Sequence, residues 1–371
     1  MILPLRSRLP LAAGLLAAAL AFAAAVGCAG RGAGDHTAGV ASPTPVGSAA
    51  TASPEEGPRP TPVPTRATPP GADVPAERLL DPVTVAARPP KDGTVVWRYR
   101  TGGYVHSSPR VVDGVVYVGS DDRHVYALDA GTGELVWKYD TGGSVWASVE
   151  VQDGVAYVGS FDYYVYALDA GNGDLLWRFE TGGEIYSSAA VVNGTLYVGS
   201  CDASVYALDA DSGDMVWRYE TGARVRSSPT VVGGVVYVGS EDKFVYALDA
   251  ATGERVWGYR TLGDVHSSPL VVDGALYVGS ADNRTYALDA ATGDLVWMRI
   301  GVNDMHSSPR VAGDVLYIGS DDTHLYALGR DTGEVIWRYA TGDKVGSSPA
   351  LADGIVYIGS TDGYTYALEA R

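Results

Sequence analysis

A repeat of 40 residues constrains the fold of this chain more than any other feature of its sequence. Within residues 92–371 the tetrapeptide Tyr-Val/Ile-Gly-Ser recurs at this spacing, and so does a tryptophan, at Trp97, Trp137, Trp177, Trp217, Trp257, Trp297 and Trp337. Seven such units fill the 280 residues of this region. β-Rich repeats of this length are typical of propeller blades. The periodicity therefore predicts an all-β fold, a β-propeller of seven blades.

Each unit predicts one four-stranded blade. In the unit that follows Trp97, segments rich in β-branched and aromatic residues predict strands at 105–112, 115–120, 124–128 and 134–139. The Asp113-Gly114 pair between the first two strands is typical of a tight hairpin turn. Short strands repeated around an axis leave no long free edge, as a propeller requires.

The ends of the repeat array predict how the ring closes. Residues 94–99 match a fourth strand, whereas residues 366–369 match a third strand. The last blade therefore lacks an outer strand of its own. We expect the N-terminal strand, which carries Trp97, to supply it, so that residues 92–371 form one closed seven-bladed propeller.

The segment before the repeats predicts export. A basic start and a short apolar run make residues 1–27 typical of a signal peptide. The sequence Ala25-Val26-Gly27-Cys28 resembles a bacterial lipoprotein cleavage box, which implies a lipid anchor on Cys28; an ordinary signal peptide with an incidental Cys28 is the alternative. Residues 28–91, rich in Pro, Ala, Ser and Thr without aromatic residues, predict a disordered tether. We expect anchoring at the outer face of the cytoplasmic membrane, in the periplasm or elsewhere in the cell envelope.

The charge balance argues against one class of partner. The chain has 27 basic and 44 acidic residues, a net charge of −17, and residues 92–371 alone have 19 and 38, a net charge of −19. So acidic a surface repels phosphate backbones, and we expect no nucleic-acid partner. The two cysteines, Cys28 and Cys201, cannot form a disulfide framework. We expect a monomeric propeller.

The turn before each tryptophan contains a motif. In one unit it is Ala127-x-Asp129-x-x-Thr132-Gly133-x-x-x-Trp137. It resembles the tryptophan-docking motif of PQQ-like (pyrroloquinoline quinone) β-propeller repeats. This resemblance implies that the seven repeated tryptophans are structural residues, each docked between neighbouring blades.

The same resemblance suggests two functions. PQQ-dependent dehydrogenases with such repeats use eight blades, calcium and a vicinal Cys-Cys disulfide over the quinone. Here seven units and a single propeller cysteine, Cys201, disfavour PQQ with calcium as the cofactor. The outer-membrane assembly lipoprotein of the barrel-insertion machinery is similar in its lipid anchor and repeat type, which implies a scaffold role in an envelope assembly complex.

Binding residues are expected where the units differ yet converge in space. Just before the repeated Ser-Ser, which is Ala147-Ser148 in one unit, the variable residues are His106, Trp146, Tyr186, Arg226, His266, His306 and Gly346. Two residues earlier they are Tyr104, Ser144, Glu184, Arg224, Asp264, Asp304 and Lys344. A third variable set begins the third strand, with His124, Tyr164, Ser204, Phe244, Arg284, His324 and Tyr364. From the first two sets we predict a ligand site in the funnel of the propeller, formed by His106, Trp146, Tyr186, Arg224, Arg226, His266 and His306.

These residue types suit a polar ligand or a peptide, because aromatic, cationic and imidazole groups surround one opening. Arg226 offers a planar fork for a carboxylate. Drift at solvent-exposed positions is one alternative, and a metal held by two or three of His106, His266 and His306 is another. The chain has no nucleophile elbow and no phosphate-binding loop. The sequence therefore favours a non-catalytic module that binds a ligand or protein, with a PQQ-dependent oxidoreductase and an assembly scaffold as alternatives.

Overall fold

The computed structural model of the protein describes residues 97–352 and 354–370, and these contain 27 β-strands and no helix. Blade 1 has strands β1 (Arg110–Val112), β2 (Val115–Gly119), β3 (His124–Asp129) and β4 (Leu135–Asp140). Blade 2 has β5 (Glu150–Gln152), β6 (Val155–Gly159), β7 (Tyr164–Asp169) and β8 (Leu175–Glu180). Blade 3 has β9 (Ala190–Val192), β10 (Thr195–Ser200), β11 (Ser204–Asp209) and β12 (Met215–Glu220).

Blade 4 has β13 (Thr230–Val232), β14 (Val235–Gly239), β15 (Phe244–Asp249) and β16 (Arg255–Arg260). Blade 5 has β17 (Leu270–Val272), β18 (Ala275–Ser280), β19 (Arg284–Asp289) and β20 (Leu295–Ile300). Blade 6 has β21 (Arg310–Ala312), β22 (Val315–Gly319), β23 (His324–Gly329) and β24 (Val335–Ala340). Blade 7 has β25 (Ala350–Ala352), β26 (Ile355–Gly359) and β27 (Thr365–Glu369).

Each 40-residue unit folds into its own antiparallel sheet, with its strands side by side in chain order. The register repeats as well: Tyr117 lies opposite Ala127, and Ala127 lies opposite Trp137, as in the later blades. The predicted all-β fold, a seven-bladed propeller, is confirmed.

The first strand of each blade is shorter than the sequence predicts. In blade 1 only Arg110–Val112 is a strand, whereas 105–112 was expected. The N–H of Ser108 donates instead to Ser148 Oγ of the next blade at 3.0 Å. The Ser107 hydroxyl bonds both to the N–H and to the carbonyl of Gly119, at 2.7 and 2.9 Å. Near the axis, hydrogen bonds to serine hydroxyls thus replace backbone hydrogen bonds between strands.

The hydrophobic core lies between adjacent blades. One buried cluster combines Val125 and Trp137 of blade 1 with Val158 and Leu168 of blade 2. The carbonyl of Ala170 joins the same two blades, because it accepts hydrogen bonds from Trp137 Nε1 at 2.8 Å and from the Tyr117 hydroxyl at 3.1 Å. Each outer-strand tryptophan with such a bond therefore fixes its blade to the next one.

Glycine is required where the tryptophan docks. Gly173 has a φ of +77°, and a Cβ placed on it would lie 2.7 Å from the ring of Trp137. The same close approach occurs between Gly213 and Trp177. The glycine of the repeated motif thus lets the indole pack flat against the turn of the next blade.

The N-terminal segment packs on blade 1 as an outer strand of a preceding blade would. Trp97 Nε1 donates to the Ala130 carbonyl at 2.9 Å, and the rings of Tyr99 and Tyr126 lie 5.6 Å apart, as the equivalent rings do between blades 1 and 2. Residues 97–100 are not assigned as a strand, and within the described residues the sheet of blade 7 has three strands. The expected strand at 94–99 lies partly outside the described residues.

The predicted signal peptide (1–27), the lipid anchor on Cys28, the tether at 28–91 and the rest of the region before Trp97 lie outside the described residues. Among the residues that are described, no helix has the length and apolar character needed to cross a membrane.

Candidate functional site

Side chains from all seven blades meet around one cavity of about 160 Å³ on the propeller axis. Its lining combines the variable residues before Ser-Ser with the second serine of that pair, and consists of His106, Trp146, Ser148, Tyr186, Ser188, Arg226, Ser228, His266, Ser268, His306, Ser308, Gly346 and Ser348. Six of the seven predicted funnel residues are in this set; Arg224 is not. Two backbone-bonded sets of variable residues stand at its entrance: Tyr104, Ser144, Glu184, Arg224, Asp264, Asp304 and Lys344, and the residues after the repeated Gly-Ser, Asp121, Phe161, Cys201, Glu241, Ala281, Asp321 and Thr361. We call the cavity together with these entrance residues the mouth.

Serines form a hydrogen-bonded belt around the mouth. The N–H of one serine donates to the hydroxyl oxygen of the equivalent serine in the next blade. Six such bonds of 2.9–3.0 Å run from Ser108 through Ser148, Ser188, Ser228, Ser268 and Ser308 to Ser348. The small side chain lets seven strands approach the axis, and the hydroxyls give the cavity a polar lining.

The wall formed by blades 1 to 3 is aromatic. His106 stacks on Trp146 with ring centroids 4.2 Å apart, and Trp146 in turn meets Tyr186 edge-on at 5.5 Å. Phe161 lies behind both, 5.2 and 4.3 Å from these two rings. The Trp146 indole N–H donates to Asp121, whose carboxylate also lies 3.3 Å from His106 Nε2. This bridging carboxylate fixes the orientation of both rings.

Arg226 is not a free cation. Its Nε lies 3.0 Å from Glu241 Oε1, and its guanidinium carbon lies 4.7 Å from the centre of the Tyr186 ring. Neither atom has a hydrogen-bond partner among the described residues, so the contact with Glu241 is an ion pair. Burial lowers the pKa of Arg226, but Glu241 and Cys201 raise it more, so the guanidinium stays charged. A ligand carboxylate would therefore compete with Glu241 for this arginine.

The opposite wall, on blades 5 to 7, combines imidazoles with carboxylates. The rings of His266 and His306 lie 5.1 Å apart. Burial, together with the nearby His306 and Arg226, lowers the pKa of His266 to about 4, so it is neutral at pH 7. Asp321 lies 3.6 Å from His306 and 2.8 Å from Lys344, and this ion pair raises the pKa of Lys344.

The carboxylates that bridge mouth residues were missed by the sequence analysis. Asp121, Glu241 and Asp321 each follow the repeated Gly-Ser, and in the other units this position holds Phe161, Cys201, Ala281 and Thr361. This position varies as strongly as the predicted rings, and that variation is the signal that could have revealed it. Burial raises the pKa of the Cys201 thiol, against the opposing effect of Arg226.

The third variable set does not line the cavity. His124 and His324 instead place Nδ1 2.9 Å from the carbonyl oxygens of Asp122 and Asp322 in their own corners. The carboxylate of Asp122 accepts hydrogen bonds from the His124 N–H at 3.2 Å and the Tyr126 hydroxyl at 2.6 Å. These residues stabilise the corner between the second and third strands.

A second distinctive surface lies on the outer edge of blade 5. Strand β20 pairs only with β19, and its outward residues form an exposed apolar stripe of Val296, Met298, Ile300 and, just beyond the strand, Val302. At the positions of Met298 and Ile300, each of the other described outer strands has at least one charged residue, such as Lys138 or Arg338. Charges of this kind protect edge strands from pairing, and β20 lacks them.

The fold and the docking turns define a PQQ-like β-propeller repeat protein. The family described as "Outer membrane protein assembly factor BamB" matches residues 83–160, 161–300 and 298–371. These matches span most of the chain, which therefore belongs to that family.

Two solved structures show the same fold. BamB from Moraxella catarrhalis is 20% identical, with a TM-score of 0.67 over 74% of this chain and 88% of that one. The computationally designed Ika8 protein is 16% identical, with a TM-score of 0.53 over 70% of this chain and 95% of that one. Among curated proteins, none matches this chain by sequence.

Proposed function

We propose that this protein is a non-catalytic binding module that acts as a scaffold in a cell-envelope assembly complex, and that its mouth receives a segment of a partner protein. The observation that carries the proposal is the mouth itself, where non-repeating side chains from all seven blades surround one cavity. The family description, an outer membrane protein assembly factor, supports the scaffold role. Export and a lipid anchor on Cys28 are part of the proposal, because a scaffold of this kind works at a membrane surface.

The charge of the mouth favours a basic group on the partner. Its variable positions hold six carboxylates and three cations: Asp121, Glu184, Glu241, Asp264, Asp304 and Asp321 against Arg224, Arg226 and Lys344. Because Glu241 already neutralises Arg226, a carboxylate ligand gains little there. A lysine or arginine side chain would gain from the excess of carboxylates and from cation–π contact with the aromatic rings that line the cavity.

The alternative of a PQQ-dependent oxidoreductase fits the mouth poorly. Pockets for drug-sized ligands measure about 300–1,000 Å³, whereas this cavity measures about 160 Å³. Arg226, the cation on its wall, is engaged by Glu241, and Cys201 is the only cysteine among residues 92–371. The size instead suits one or two amino-acid side chains.

The apolar stripe on β20 gives the scaffold a second contact surface. Val296, Met298, Ile300 and Val302 alternate along one face of an edge strand whose outer backbone groups have no neighbouring strand. An extended segment of a partner protein could add to this edge, with its own apolar side chains over the stripe. The other described outer strands have a charged residue at the position of Met298 or Ile300, and they are not expected to bind such a segment.

Site-specific photo-crosslinking in the cell envelope tests the proposal. We would place a photoreactive side chain at Gly346 in the mouth, at Ile300 on the stripe, and at Asp140, the equivalent of Ile300 in blade 1. We expect protein adducts from Gly346 and Ile300 but not from Asp140, and loss of the Gly346 adduct in the Trp146→Ala variant. Adducts from Asp140 alone, or a Gly346 adduct that persists without Trp146, would refute the assignment of the mouth.

A further inference from the structure

Three potential metal ligands converge at the part of the mouth formed by blade 6. One ligand atom from each of Asp304, His306 and Asp321 lies within 4.8 Å of the other two. His306 Nε2 is 3.7 Å from Asp304 Oδ2, and His306 Nδ1 is 3.6 Å from Asp321 Oδ2. The three side chains are partly buried, and that of His306 lines the cavity.

These separations are too long for hydrogen bonds, which join such atoms at about 2.7–3.2 Å. The two distances involve different nitrogens of His306, of which only one can bind an ion, but one nitrogen and one oxygen from each carboxylate all lie within 4.8 Å of one another. Ligands bound at about 2.0–2.2 Å from a tetrahedral zinc ion stand roughly 3.3–3.6 Å from one another. To close around a metal, the cluster uses one nitrogen of His306, and the carboxylate that faces the other nitrogen turns toward it.

A second imidazole stands next to this cluster. His266 comes from the adjacent blade 5, and the centroid of its ring is 5.1 Å from that of His306. Two imidazoles that share a tetrahedral metal through one nitrogen each have centroids about 5 Å apart. The centroid spacing is that of a shared ion, and His266, whose Nε2 lies 3.9 Å from Glu241 and 4.0 Å from Asp264, turns its ring toward His306 to become a ligand.

We propose that Asp304, His306 and Asp321 bind a divalent transition-metal ion of the zinc class, with His266 as the fourth ligand. Imidazole together with carboxylate suits zinc and its neighbours, whereas calcium and magnesium prefer oxygen ligands alone. Because protein side chains supply two nitrogens and two carboxylate oxygens, the ion should prefer zinc or cobalt to magnesium. The site goes beyond the proposed scaffold function and does not depend on it.

Lys344 competes with the ion. Its Nζ lies 2.8 Å from Asp321 Oδ2, so it neutralises one of the proposed ligands. More than half of the Lys344 side chain is exposed, so it can move into solvent when an ion binds. Removing this cation should therefore strengthen metal binding, which gives the proposal a test with a defined sign.

The test is titration of the untagged full-length protein with Zn²⁺ by calorimetry and with Co²⁺ by visible absorption. We expect one Zn²⁺ per chain, ligand-field bands of Co²⁺ bound to nitrogen, and no comparable binding of Mg²⁺. His306→Ala should weaken Zn²⁺ binding by at least about ten-fold, and Lys344→Ala should strengthen it. His106→Ala is the matched control, because His106 has the same repeat position but no second histidine beside it, and it should bind as the wild type does.

Thermal unfolding of each variant would separate loss of the ion from loss of the fold. Equal Zn²⁺ affinity in wild type and a folded His306→Ala variant would overturn the proposal, as would several weak sites that bind Mg²⁺ equally well. The photo-crosslinking outcome at Gly346 depends on Trp146 on the opposite wall. Failure of the metal site would therefore leave the scaffold proposal standing, and the reverse also holds.

Discussion

The ring of docked tryptophans and the mouth are formed by the same repeat, but the tryptophan is the same in every unit and the variable residues of the mouth are not. Between blades, tryptophan Nε1 donates to the carbonyl of the next blade at 2.8–3.0 Å in six described copies. At the mouth, the residue before Ser-Ser changes from unit to unit, and only His266 and His306 repeat in neighbouring blades. The residues that hold the blades together, including the serine belt, stay uniform, whereas the other residues that line the cavity differ between units. Stability and binding should therefore respond to different mutations.

The largest expected effect contrasts two tryptophans from these regions. Trp217 is 7% exposed and docks on blade 4, so Trp217→Ala should destabilise the protein by about 3–5 kcal/mol. Trp146 lies partly exposed in the mouth, and Trp146→Ala should cost clearly less. Urea unfolding of both variants measures the difference. Equal losses would show that docking does not dominate the stability of the ring.

A second contrast isolates the close approach of glycine to the docked indole. Gly213 and Gly194 share a φ of +76°, but a Cβ on Gly213 would lie 2.7 Å from Trp177, whereas one on Gly194 would meet nothing within 4 Å. Both alanine variants carry the same backbone strain. Gly213→Ala should lose about 1–3 kcal/mol more than Gly194→Ala because of overpacking. Matching unfolding midpoints for the two variants would contradict the docking geometry.

The ion pair in the mouth should couple Arg226 to Glu241. Arg226→Met leaves Glu241, which is 17% exposed, without its partner, and we expect a loss of about 1–3 kcal/mol. Glu241→Gln in the same chain should recover most of this loss. A double-mutant cycle by urea unfolding measures the coupling. Additive effects of the two substitutions would mean that the pair contributes nothing.

The smallest expected effect is a loss of stability at low pH that comes from the aspartates of the docking turns. Hydrogen bonds from the backbone N–H and side chain of Thr132 lower the pKa of Asp129, and the equivalent Thr252 lowers the pKa of Asp249. A carboxyl group with a lowered folded-state pKa stabilises the fold above its unfolded pKa of about 3.8, and this stabilisation is lost as the pH falls further. Melting temperatures should therefore drop more steeply below pH 4 in the wild type than in Asp249→Asn. Parallel profiles would refute this contribution.

The sequence predicted the fold well because seven copies of one unit must adopt one local structure. The 40-residue spacing of Trp97 and its equivalents was enough for the number of blades and the order of the strands in each blade. The short first strand was not predictable in the same way. The N–H of Ser108 donates to Ser148 of the next blade instead of to a strand of its own sheet. The sequence of a single unit does not show how the next blade lies beside it.

The mouth was only partly predictable for a similar reason. Variation between units identified His106, Trp146, Tyr186, Arg226, His266 and His306, which line one cavity. The position of Glu241 also differs between units in the sequence. Its contact with Arg226, however, depends on the folded backbone, which brings the end of β14 next to the segment before β13. Spacing along the chain shows which residues differ, whereas charge pairing across the mouth requires the folded geometry.

Fluorine NMR of the protein labelled with 5-fluorotryptophan tests the central claim most directly, because the chain has eight tryptophans, seven in the docking ring and Trp146 in the mouth. The Trp146→Phe variant assigns the mouth resonance. On titration with the peptide amide Trp-Arg-Trp, a basic group between aromatic residues, we expect the Trp146 resonance to shift while the docking resonances stay in place. A shift confined to a docking tryptophan, or no shift at millimolar peptide, would contradict the claim that the uniform ring builds the fold and the variable mouth binds.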